Sequence, residues 1–177
     1  MNALPQTIDG IPWRRLTTAY GRGTDIPRLI QTGQFRELAD LIEHQSTLWQ
    51  VTPWVLLILL RELPKREPDK VTSEEINLYL AVASSITADY YEAGPPAGTM
   101  NELLDEQYLW PENEEEDELL WEEEEPPSYE PQPFFSYYYY SHSLLKEAEP
   151  VFLSIMNDSG RLAPAIQELL LLLRGEK

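Results

Sequence analysis

The 177-residue chain has no cysteine, so disulfides and thiolate metal sites are excluded outright, as suits a reducing compartment. It has only two histidines, His44 and His142. No Lys or Arg occurs between Lys70 and Lys146. No apolar run approaches the roughly 20 residues that span a bilayer. The seven apolar residues from Trp54 to Leu60 instead read as a helix surrounded by protein. The first fifteen residues have no apolar stretch behind a basic start, so no secretory signal is visible and the expected location is cytoplasmic.

These absences concentrate the charge. The net charge is −18, and residues 71–145 carry 18 acids without one base. The remaining residues hold 13 bases and 13 acids, so the charge belongs to one region. Phosphate binding needs clustered cations, which argues against nucleic acid and anionic membrane as partners. The natural complement is a cationic protein surface.

Helical spacing dominates outside that region, and the expected fold is all-α. A chain of this length makes a single domain, 1–177, with room for a core. Residues 1–24 are broken by Pro and Gly, with Trp13, Leu16 and Tyr20 available to pack the arm on the core. Asp25 caps a short helix that Gly33 ends. Phe35, Leu38, Ala39 and Ile42 mark a second helix to about Gln45. Thr52 is placed to cap the central helix over 53–63, with Pro53 in its first turn. Thr72 and Glu75 form a capping-box pattern opening a long helix to about Glu92. Two more helices close the chain, with Pro150 kinking or starting one and Leu162 to Arg174 making the last.

Residues 94–141 read as an acidic, Pro- and Tyr-rich insertion loop. Ten of its acids fall between Glu112 and Glu125, namely Glu112, Glu114, Glu115, Glu116, Asp117, Glu118, Glu122, Glu123, Glu124 and Glu125, interrupted by Leu119, Leu120 and Trp121. Like charges at this density repel and favour a solvated loop. An apolar anchor ringed by charge, however, suits an interface. Tyr137, Tyr138, Tyr139 and Tyr140 follow, and aromatics in sequence favour an extended segment with alternate rings facing core and partner.

Two segments resemble a bacterial family of helical-repeat proteins of the HEAT type. One is Ala19-Tyr20-Gly21 followed by Asp25, Pro27 and Leu29. The other is His44-Gln45-Ser46-Thr47 followed by Thr52 and the apolar run. Ser46 stands where the family usually has Gly, and Leu57 where a second Pro is expected. The resemblance covers residues 13–63 and implies stacked antiparallel helix pairs, no catalytic residues and no cofactor. Some members look like immunity proteins against secreted toxins.

The expected function is therefore an immunity protein that occludes the active site of a cognate toxin. Its acidic and aromatic loop would enter a basic cleft on the toxin. The alternative is a helical-repeat adaptor with no inhibitory role. Catalysis is disfavoured because the two histidines have no evident nucleophile or base partner. His44 suits a backbone hydrogen bond, and His142 an exposed or capping position. No spaced calcium loop or other metal site is visible.

Overall fold

The central helix is where the apolar run places it. In the computed structural model, which describes residues 3–92, 98–117 and 130–175, α3 spans Thr52–Glu62. Trp54, Val55 and Leu56 on it are completely buried. Each such side chain contributes about 1.5–3 kcal/mol by leaving water.

Eight α-helices are present among the described residues. The first two, α1 (Ile26–Thr32) and α2 (Phe35–Ile42), are separated by Gly33. Gly33 takes φ 66°, a left-handed turn that suits glycine. After α3 come α4 (Ser73–Ser85) and the short α5 (Ala88–Glu92). The chain finishes with α6 (Pro131–Glu147), α7 (Glu149–Asp158) and α8 (Ala163–Arg174). Helix α3 packs on α6, and α4 packs on α2 and α8. None of the described helices is long and apolar enough to cross a membrane.

Two small hairpins accompany these helices, one before α1 and one between α2 and α3. Strands β1 (Thr17–Thr18) and β2 (Gly21–Arg22) are antiparallel, with Thr17 opposite Arg22. Strands β3 (Glu43–His44) and β4 (Thr47–Leu48) pair with His44 opposite Thr47. The helix expected to reach Gln45 therefore stops at Ile42, because Gln45 (φ 51°) and Ser46 (φ 62°) make the tight turn of the second hairpin.

Several local expectations need correction. Thr52 opens α3 but does not cap it. Its hydroxyl accepts the Trp49 N–H (2.9 Å) and donates to the Ile42 carbonyl (2.6 Å), tying the hairpin shut instead. Asp25 precedes α1 without a side-chain capping bond. Trp13 and Leu16 are buried as expected, yet Tyr20 is 67% exposed at the tip of the first hairpin. The helix expected over 72–92 breaks at Ile86, which is extended (ψ 114°). Upstream, the Ser84 and Ser85 hydroxyls bond back to the Leu80 and Ala81 carbonyls, and β-branched Ile86 and Thr87 follow. Pro150 starts a fresh helix.

Thr72 does cap α4, accepting the Glu75 N–H at 3.2 Å. The Glu75 side chain does not return to close a capping box. It is fully buried, taking bonds from Arg66 (Nη1, 2.8 Å) and from the Tyr79 hydroxyl (2.6 Å). Burial, reinforced by the Glu75 charge, pushes the Tyr79 hydroxyl well above its ordinary range.

Candidate functional site

The loop expected over 94–141 is not of one kind. From Pro131 the chain is α6, so Tyr137 to Tyr140 are helical, and the alternation expected of an extended segment does not arise. Pro131 and Pro133 lie in the first turn, where a missing N–H is harmless, and the residues after them are free to continue the helix. On a helix, neighbouring tyrosines spread over adjacent faces.

Tyr137 and Tyr138 are buried, and only Tyr139 and Tyr140 keep partial exposure. The Tyr138 ring stacks on Tyr90 at 3.9 Å between centroids. Its hydroxyl accepts the Leu48 N–H (3.1 Å) and donates to the Ser46 carbonyl (3.3 Å). In a two-residue hairpin the pair beyond the turn-closing one leaves its N–H groups free. Tyr138 satisfies the one on Leu48. Burial pushes its hydroxyl up to about 12.

Residues 98–117 run along the surface as successive 3₁₀ turns, fastened at both ends. At the near end the Tyr140 hydroxyl donates to the Gly98 carbonyl at 3.0 Å. In the middle, Trp110 is buried, its N–H bonds the Arg15 carbonyl (3.0 Å), and Arg15 Nε returns to the Trp110 carbonyl (2.6 Å). Gln50 braces the same stretch, donating to the Tyr108 carbonyl (2.8 Å) while accepting the Thr17 N–H (3.0 Å). At the far end Asp117 receives a bidentate pair from Arg22 (Nε to Oδ2, 2.8 Å). The Arg22 guanidinium lies 5.9 Å from the Trp110 ring centre.

The first acids of the run thus lie against arginines of the N-terminal arm. Arg15 also clasps Glu106 and comes within 4.0 Å of Glu112, and Arg14 lies 3.6 Å from Glu114. The hydrogen bond from Arg15 holds the Glu106 carboxyl below its usual range and raises the Arg15 guanidinium. Glu115 and Glu116 are exposed and form no ion pair among the described residues. Glu118, Trp121, Glu122, Glu123, Glu124 and Glu125 lie outside the described residues. Sequence reasoning missed Glu106 and the three arginines as a unit. The available signal was that every base lies outside 71–145, so any internal partner for the acids had to come from the arm or from the C-terminal helices.

The histidines take other roles. His44 Nδ1 lies 3.3 Å from the Tyr20 hydroxyl, and the two rings meet edge to face at 5.3 Å. The two resembling segments therefore touch, and the Ala19 N–H bonds the Leu41 carbonyl at 2.9 Å beside them. His142 is half-buried on α6, and desolvation with nearby Lys146 lowers its pKa against a backbone bond to Leu173 and the Glu149 charge. Among the described residues no three His, Asp or Glu are grouped to hold a metal ion.

Beside the fastened segment lies a groove of about 1010 Å³ between α3, α6 and the turns at 98–105. Tyr139 and Tyr140 line it, together with Leu60, Leu144 and Val151. Compared with known proteins, the chain matches no family model, no curated protein and no solved structure.

Proposed function

We propose that this protein is an immunity protein that binds a cognate secreted bacterial toxin and occludes its active site. Its helices form a body of antiparallel pairs stacked in the HEAT manner, resident in the cytoplasm. The observation that supports the reading most is the fastening of residues 98–117. A solubility tail needs no attachment, whereas an interface gains affinity when its binding segment is held in place beforehand.

The acidic surface begins where that fastening ends. Glu112, Glu114, Glu115 and Glu116 are exposed beside Asp117, and Glu118 and Glu122 to Glu125 follow in sequence. These carboxylates steer a basic cleft into contact, and Trp121 fills an apolar pocket beside it. Tyr137 and Tyr138 drop out of the interface because they belong to the core, leaving Tyr139 and Tyr140 as its aromatic members. A cleft built for an anionic substrate, nucleic acid or a dinucleotide, is the best match to such a surface.

Co-expression with the toxin encoded beside its gene tests the proposal. Cells making this protein survive, and cells making a variant with Glu112, Glu114, Glu115, Glu116 and Glu122–Glu125 changed to Gln lose protection as association slows. Equal killing with and without the protein refutes the immunity reading. The groove beside Tyr139 favours a second reading, a helical adaptor without inhibitory action. That reading gains if the protein purifies with cellular partners and protects against nothing.

A further inference from the structure

The groove between α3 and α6 has a floor and a rim of different chemistry. Leu57 and Leu60 present one face of α3, and Leu144 of α6 and Val151 of α7 continue the apolar floor. Leu57 is buried, while Leu60, Leu144 and Val151 remain half-buried, so apolar surface is left facing solvent. The rim carries Glu102, Asp105 and Glu147, all exposed, and none of them forms an ion pair among the described residues. Arg61 is the single basic residue in the lining, and its Nη1 donates to the Pro5 carbonyl, so the lining keeps an excess of negative charge.

The wall bearing Glu102 is tied to α6 at Gly98. Gly98 has φ +105°, and a Cβ there would fall 1.6 Å from Glu102 Oε2, so the carboxylate occupies the space a side chain would need. The Tyr140 hydroxyl holds the Gly98 carbonyl from the other side. The Glu102 carboxylate therefore lies against the Gly98 backbone at the edge of the floor.

We propose that this groove docks a cationic amphipathic helix presented by a partner protein. Three carboxylates without an ion-pair partner among the described residues, over a leucine and valine floor, complement a helix with Lys or Arg flanking an apolar stripe. The size agrees: small-ligand sites run to about 300–1,000 Å³, and an open groove at the top of that range suits a helix about 10–12 Å across. Nucleic acid and anionic lipid are repelled by the same rim. A second copy of this chain is a poor occupant. Of its exposed apolar helix side chains, Phe135 on α6 has no base before Lys146, and Leu171 and Leu172 on α8 are accompanied by Glu168 with only Arg174 as a base. The inference does not depend on the immunity reading: Tyr139 and Tyr140 are common to both surfaces, but the groove's carboxylates, Glu102, Asp105 and Glu147, are not among the acids that reading uses.

The test is fluorescence anisotropy with a labelled Leu/Lys amphipathic helical peptide, using oligolysine of equal charge as the control. The protein binds the amphipathic peptide at least about tenfold more tightly than oligolysine. Changing Glu102 and Glu147 to Gln and Asp105 to Asn weakens peptide binding by about tenfold, and Leu144→Asp weakens it further. The rim variant alters only exposed groups, so an unchanged melting temperature verifies its fold even where Leu144→Asp fails to fold. Changing Glu112, Glu115 and Glu116 to Gln leaves peptide affinity within about twofold, since those residues lie outside the groove. Equal binding of oligolysine, an unaffected rim variant, or a groove closed by self-association in sedimentation overturns the proposal. Failure of toxin protection with intact peptide binding would refute only the immunity reading.

Discussion

Asp117 and Arg22, 95 positions apart in sequence, form a bidentate pair with side chains 22% and 9% exposed. Arg22 also donates to the Arg14 carbonyl at 3.0 Å, so one guanidinium closes the first hairpin region and fastens the acidic segment together.

Arg22→Met keeps the bulk of the side chain but removes all of these bonds. Stability falls by about 1.5–3 kcal/mol, because a partly buried carboxylate loses its charged donor. Urea denaturation measures it. A loss under about 0.5 kcal/mol, the scale of an exposed surface pair, would show that the pair is solvated.

Tyr138→Phe keeps the stacked ring on Tyr90 and deletes only the hydroxyl. The buried Leu48 N–H then has no acceptor, at a cost of about 1–3 kcal/mol. The hydroxyl also gives a pH signature. Because the folded chain holds this proton up to about 12 while the unfolded chain releases it near its ordinary value of 10, stability falls as pH rises through that interval. Thermal melts of the Phe variant are less sensitive to alkali there.

Ser46→Gly stabilises the protein by about 0.5–1 kcal/mol, because φ 62° strains any residue with a Cβ and the second hairpin turn favours glycine. The gain is read from the melting temperature. A destabilised variant would mean that the Ser46 side chain makes a contribution larger than the backbone strain it carries.

His142 makes stability depend on mild acid. Its folded pKa lies below its ordinary value of 6.5, so stability is fully present above that value. It declines as pH falls toward the folded pKa, since the unfolded chain takes up the proton first. His142→Gln flattens the melting-temperature profile just below pH 6.5. A variant that tracks the parent through that range would assign the decline to carboxylates.

Much of the body was legible because apolar spacing and punctuation agree. Gly33 ends α1, Thr72 caps α4, Pro150 opens α7, and the run from Trp54 to Leu60 lies on α3 as its composition demands. Where two local signals compete, spacing alone does not decide. Aromatic propensity favours extension over Tyr137–Tyr140, but burial against Tyr90, Leu48 and the α3 helix rewards a helix more. Thr52 and Glu75 have the residue types of caps yet spend their side chains on tertiary partners, Ile42 and Arg66. The candidate site was half legible. Acid content marked 112–117, but nothing local to that stretch indicates that Arg14, Arg15 and Arg22 would meet it from more than ninety positions away.

The Arg66–Glu75–Tyr79 cluster has a bearing on how the helices choose their places. Leucine and isoleucine side chains are nearly interchangeable, so α4 moved along its neighbours by one turn could still find oily surroundings. A lone charge carried along by such a slip would have no cation to meet it. Glu75 therefore acts as an index pin, penalising shifted assemblies more than it strengthens the correct one.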